Sequence, residues 1–363
     1  MAPDQQPHRY PLLRTLRILP CATIRPCFIA THLGRITAQL HRAEFAQVDM
    51  AMAALPAEHL SALLAAIAEL RRAPRWVTQW IKASPTSCHA RLLLAKIEIM
   101  RAWSIRGEST LRYIPIRRRV EFSQVMACGY QHLVDLAAED ASQAMAFAEL
   151  IHCNVVAGLG GAKRDEWLDH VMDVAPFHLP TLAEYFRGTQ ARWGGSEEEM
   201  FGFSSWVTEN APVGHLAHSL AAGAVIEKAF SVSDEEVDIL WLARDVGDEA
   251  LAEWTRRSLY KWLEATPSTL QDRLAATQQE REDGYGIVCT ERFALASYLS
   301  GAKHEARLLL TALRGRLRPY PWSQFAPYVP FSGRWLARNH RVERLTHDRV
   351  CRDSGLDPRS IVR

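Results

Sequence analysis

Two double-glycine corners set 34 residues apart constrain this 363-residue chain more than any other feature. Leu159-Gly160-Gly161 and Trp193-Gly194-Gly195 each interrupt an apolar run of helical period, and Ala175-Pro176 and Ala211-Pro212 alternate with them at an offset of 36. Glycine ends a helix by taking the left-handed conformation, and proline cannot continue one. The order therefore reads helix, Gly-Gly turn, helix, Ala-Pro turn, and then the same again. Neither helix of such a pair can bury its apolar face alone, so successive pairs must stack.

Helical spacing extends well beyond these corners. Leu60, Leu63, Leu64, Ile67 and Leu70 repeat at helical intervals, as do Leu93, Ile97, Met100 and Trp103. Strand-like alternation is almost absent. Trp167, Leu168, Val171 and Met172 line one face of a helix whose other side holds Asp165, Glu166, Asp169 and Asp173. Thr181…Glu184, Ser196…Glu199, Ser233…Glu236 and Ser268…Gln271 have the spacing of capping boxes and predict four helix starts.

A two-helix unit of this length resembles the tetratricopeptide repeat. The resemblance covers residues 90–315 and is clearest over 142–230; it is one of period and turns, since the family's Trp…Leu-Gly…Tyr run is degenerate here. Ala191 to Phe203, Arg292 to Lys303 and Pro319 to Ser323 look like stretches of an uncharacterised bacterial tetratricopeptide-like family without assigned activity. The resemblance implies an all-α fold in which antiparallel helix pairs stack as a TPR-like α-solenoid. Residues 1–30 read as an irregular N-terminal arm and 31–85 as a helical N-terminal cap. Residues 86–315 read as the repeats, and 316–363 as a basic C-terminal cap that tucks in Trp322, Phe325, Trp335 and Leu336.

The net charge of +2 conceals a layout of +8 over residues 1–139, −14 over 140–302 and +8 over 303–363. An acidic centre argues against nucleic acid as the partner of the body of the chain and favours a basic or amphipathic one. Seven dispersed cysteines without CxxC spacing suit reduced thiols, and no segment approaches a membrane span; a cytoplasmic protein with no membrane partner is expected.

Chemistry-bearing motifs are few. Gly158-Leu-Gly-Gly-Ala-Lys163 lacks the spacing and the preceding strand of a phosphate loop. His215 and His218 lack a third metal ligand. The Glu197–Glu199 and Asp234–Glu236 runs fall at helix starts, where negative charge offsets the macrodipole. No catalytic, cofactor or metal residue is assigned. The expected function is a non-enzymatic scaffold or adaptor binding a protein or peptide. Its concave face would present Glu149, His152, Glu184, Arg187 and His218. The alternative is a peptide- or ligand-sensing regulator whose basic end contacts nucleic acid, for which Arg112, Arg117, Arg118 and Arg119 form the densest basic cluster. Along Tyr185, Phe186, Trp193, Phe201, Phe203 and Trp206, most rings should be core, with Tyr185 or Trp206 left to face a groove.

Overall fold

A computed structural model describes residues 28–107, 113–232, 239–280, 285–314, 321–322, 325 and 342–361. Among the described residues there is no strand, and the class is all-α. The proposed arm at 1–30 is therefore described only from Phe28, where the first helix begins. Arg112, Trp335, Leu336 and the Ser233…Glu236 box lie outside the described residues.

The helices are α1 (Phe28–His41), α2 (Phe45–Ala53), α3 (Ala57–Ala68), α4 (Ala73–Ala83), α5 (Cys88–Arg106), α6 (Ile116–Glu139), α7 (Ala144–Ala157), α8 (Gly161–Val174), α9 (Leu179–Thr189) and α10 (Glu197–Asn210). They continue as α11 (Ser219–Val232), α12 (Ile239–Val246), α13 (Glu249–Leu263), α14 (Leu270–Glu280), α15 (Tyr285–Ser300), α16 (Lys303–Leu313), α17 (Val342–Asp353) and the single turn α18 (Pro358–Ile361). Short 3-10 turns at Ala191–Trp193 and Leu216–His218 precede α10 and α11.

Both double-glycine corners end helices. Gly158 closes α7 in the left-handed region, Gly160 at φ +87° opens α8, and Gly194 at φ +96° closes the first 3-10 turn. Ala175 and Ala211 terminate α8 and α10. Ser196 Oγ accepts from Glu199 N at 3.0 Å, as its box predicts. The other two described boxes differ. α9 begins earlier than Thr181, with His178 at its N-cap and Pro180 presetting the first turn, so Thr181 lies inside the helix and bonds His178. At α14 it is Thr269, not Ser268, whose hydroxyl takes the backbone N–H of Thr266. Ser87 and Asp248 cap α5 and α13 without a carboxylate or amide three residues on, which is why no box announced them.

α5 and α6 form the longest pair, of 19 and 24 residues. They approach closely at Gly129, where a Cβ would come within 3.1 Å of Ala95 O. α7 packs on α6, α8 and α9; α11 packs on α10, α13 and α15, and α15 on α16. Three apolar clusters result, one spanning α1 to α8, one α8 to α11, and one α11 to the C-terminal helices. Trp322 and Phe325 are fully buried in the last. Some contacts depart from neighbour-to-neighbour stacking: α3 lies against α9 as well as α5, and α12 against α17.

Candidate partner-binding surface

The sequence nominated a concave-face set and a basic cluster, and the structure gathers four of the five concave-face residues into one seam. Glu149 and His152 lie one turn apart on α7, and Glu184 and Arg187 one turn apart on α9, so both pairs face the seam between these helices. Lys96 of α5 donates to Glu149 Oε1 at 2.6 Å. The indole of Trp103 donates to His152 Nε2 at 3.2 Å; because an indole N–H only donates, the imidazole proton sits on Nδ1, directed at Glu184 Oε2 2.9 Å away. Arg187 Nε closes the chain on the same oxygen at 2.8 Å. Glu149 and His152 are only 7% and 8% exposed.

Electrostatics follow from this pairing. Burial alone would raise the Glu184 carboxyl, but His152 and Arg187 outweigh it and hold it far below the usual carboxylate range. Burial would lower Lys96, yet Glu149 raises it above an ordinary lysine. Cys153, one turn beyond Glu149, has its thiol pushed up to about 12 by burial, so it is no thiolate nucleophile at neutral pH. The seam ties α5, α7 and α9 together, and its charges are engaged with each other.

His218 stands apart from the other four. It is fully buried and donates through Nε2 to Pro212 O at 2.9 Å, while His215 Nδ1 accepts from Ala217 N at the 3-10 turn. Burial lowers both imidazoles below their ordinary value. Among the described residues no group of three His, Cys, Asp or Glu could hold a metal ion. Arg117 and Arg118 are exposed on the first turn of α6, whereas Arg119 folds back to donate to Ile114 O. Beyond the seam, Arg192 pairs with Glu227 at 2.6 Å beside a cleft of about 260 Å³. Neither of these two residues was nominated by the sequence.

An accessible cluster of aromatic rings lies elsewhere, across the corner of α8, α9 and α10. Tyr185 of α9 meets Phe203 of α10 with ring centroids 4.6 Å apart. Phe203 stacks on Trp206 at 5.9 Å, and Trp206 stacks on Phe177 at 6.0 Å. Positions 203 and 206 share a face of α10 by their spacing. Phe186 is core as expected, but Trp206 is 39% exposed. Phe177, the residue after the Ala-Pro corner, was not foreseen: it joins the ladder by adopting φ +56°, a conformation rare for a bulky side chain. Gly202 occupies the interior of α10 beside these rings, and a Cβ there would meet nothing within 4 Å.

An acidic side chain meets the ladder at one end, and others follow along α8 and α10. Asp165 accepts from the Tyr185 hydroxyl at 2.8 Å at one end, and α8 runs from there to the Phe177 corner at the other. Asp165, Asp169 and Asp173 follow each other at four-residue spacing along α8, all exposed. Glu199 and Glu209, one turn to either side of the α10 rings, are exposed too. Asp169, Asp173, Glu199 and Glu209 enter no ion pair among the described residues. The four-residue spacing was visible in the sequence; its position beside the rings depends on how α8 folds against α9.

No helix among the described residues is long and apolar enough to cross a membrane. Comparison of the chain with protein-family models, with curated proteins and with solved structures gave no match.

Proposed function

We propose that this chain is a non-enzymatic, α-solenoid protein- or peptide-binding module of the tetratricopeptide-like kind, and that its partner docks on the aromatic ladder of α9 and α10. The observation that carries this reading is the run Phe203–Trp206–Phe177, stacked in fixed register and open to solvent at Trp206. Aromatic side chains supply large contact area at low entropic cost, which is why they dominate binding hot spots. Two local choices beside Trp206 are unfavourable for folding alone. A non-glycine residue in the left-handed region costs on the order of 1–3 kcal/mol, and an interior helical glycine about 1 kcal/mol relative to alanine. Phe177 takes on its cost while keeping a ring in the stack, and Gly202 lies beside that stack with open space around it.

The repeat reading rests on the glycine corners and the hairpin succession α5/α6, α7/α8 and α9/α10. The non-enzymatic reading rests on the seam, whose ionisable groups are paired with one another. A photo-cross-linking residue placed at Gly202 tests the proposal in cells that naturally make the chain. A discrete cross-linked partner is expected from position 202 and not from the exposed Glu253 of α13, and Trp206→Ala should abolish it with the helical circular dichroism unchanged. An adduct indifferent to Trp206→Ala, or none from position 202, overturns it.

A further inference from the structure

We infer that the occupant of the ladder is a positively charged, arginine-bearing segment of a partner chain, with a guanidinium lodged over Trp206 between the acidic edges of α8 and α10. This rests on the partner-binding reading above and specifies its chemistry. The argument begins with a contact the protein makes to itself. At the Tyr185 end of the ladder, the Arg164 guanidinium carbon lies 4.5 Å from the ring centroid, and its Nε lies 3.6 Å from Asp165 Oδ1. A ring face and an aspartate thus already hold one guanidinium between them. The negative face of the ring attracts the cation, and the carboxylate supplies the opposite charge.

The same elements recur at the other end of the stack. Trp206, whose indole is the strongest aromatic attractor of cations, is exposed, and among the described residues no Lys or Arg lies over it. Asp173 stands at the end of α8 just before the Phe177 corner, and Glu209 one turn after Trp206 on α10, so both helices carry an exposed carboxylate toward this end of the stack. The nearby basic groups do not neutralise them. Lys261 is turned away to donate to Thr208 O, and burial lowers His215 and His178 below ordinary histidines. An acidic segment would be repelled by Asp169 and Asp173 of α8, and a purely apolar one would leave those carboxylates without partners at its rim. Arginine is favoured over lysine because its planar group can stack on the indole and donate sideways to both carboxylates at once.

The experiment uses the full chain labelled with fluorotryptophan, in which the Trp206 fluorine resonance is the one missing from Trp206→Phe. The probe is a short capped peptide alternating arginine and glycine, with its glutamate–glycine counterpart as control. A saturable shift of the Trp206 resonance is expected with the arginine peptide and none with the glutamate peptide. Asp169→Asn with Asp173→Asn should weaken the apparent affinity by about threefold to thirtyfold, and added salt should weaken it further. A resonance unmoved by the arginine peptide at millimolar concentration, or moved equally by both peptides, overturns the inference. So does a shift that appears without peptide on concentrating the protein and vanishes in Arg117→Glu with Arg118→Glu, which would make the occupant a second copy. If the cross-link from position 202 persists while the arginine peptide fails, the docking surface stands and only its basic occupant is lost; if both fail, both readings fall.

Discussion

Lys96 and Glu149 show how a residue chosen for its charge can serve the fold. Their contact is buried, with side-chain exposures of 14% and 9%. Removing one partner of such a pair strands the other, which costs about 3–5 kcal/mol, whereas replacing both with apolar groups of like volume is often near neutral. Glu149→Ala should therefore lower unfolding free energy by about that amount. Lys96→Met combined with Glu149→Leu should recover most of it, as denaturant melts of the two variants and the parent would read. The opposite sign is expected at Gly202. With open space around its missing Cβ, Gly202→Ala should stabilise the protein by about 1 kcal/mol. A stability gain with the Trp206 resonance still shifted by the arginine peptide would mean the glycine serves neither folding nor docking. The sequence read Glu149, His152, Glu184 and Arg187 as polar residues of a concave, partner-facing surface, whereas they pair with one another and with Lys96 in the seam. It could not tell that they meet, because the partners lie 32 to 53 residues away and the pairing depends on how α5, α7 and α9 are packed together.

At the scale of the element, α9 carries a pH dependence at its own N-terminus. His178 is its N-cap, and burial lowers the imidazole to about 4. A cation there would oppose the helix macrodipole and lose hydration together. Since the folded value lies below the ordinary 6.5, the unfolded chain binds the proton more readily. The stability is whole above pH 6.5 and declines as the pH falls toward about 4. His178→Asn places a residue favoured at N-caps there without the titration, so the fall in melting temperature between those limits should shrink in the variant. Helix boundaries were the most legible part of this chain, because glycine and proline act locally and leave a mark in the sequence. Caps were less so. His178 displaced Thr181 because Pro180 fixes the first turn ahead of it, and Asp248 caps α13 with no partner residue to signal the start.

Over the whole molecule, local period predicts which helices are neighbours in order but not whether distant ones meet. In a strictly one-dimensional stack each unit senses only the next, and a perturbation in α3 would reach α9 through α5 and α7. Here α3 lies directly against α9, and the first apolar cluster reaches Tyr185 and Trp193. The ladder is therefore backed by the N-terminal helices as well as by its own neighbours. Leu64 of α3 is 2% exposed, and truncating a buried leucine costs about 2–5 kcal/mol. Leu64→Ala should accordingly speed amide hydrogen exchange in α3 and α9 together, with α7 less affected and α15 and α16 unchanged. Exchange that spreads evenly from α3 through α5 and α7 before reaching α9 would show that the direct contact carries little, leaving the chain an open stack. Faster exchange in α9 ahead of α7 would mean that the N-terminal helices hold the docking face in shape, and that loosening them weakens partner binding without altering Trp206 or its acidic rim.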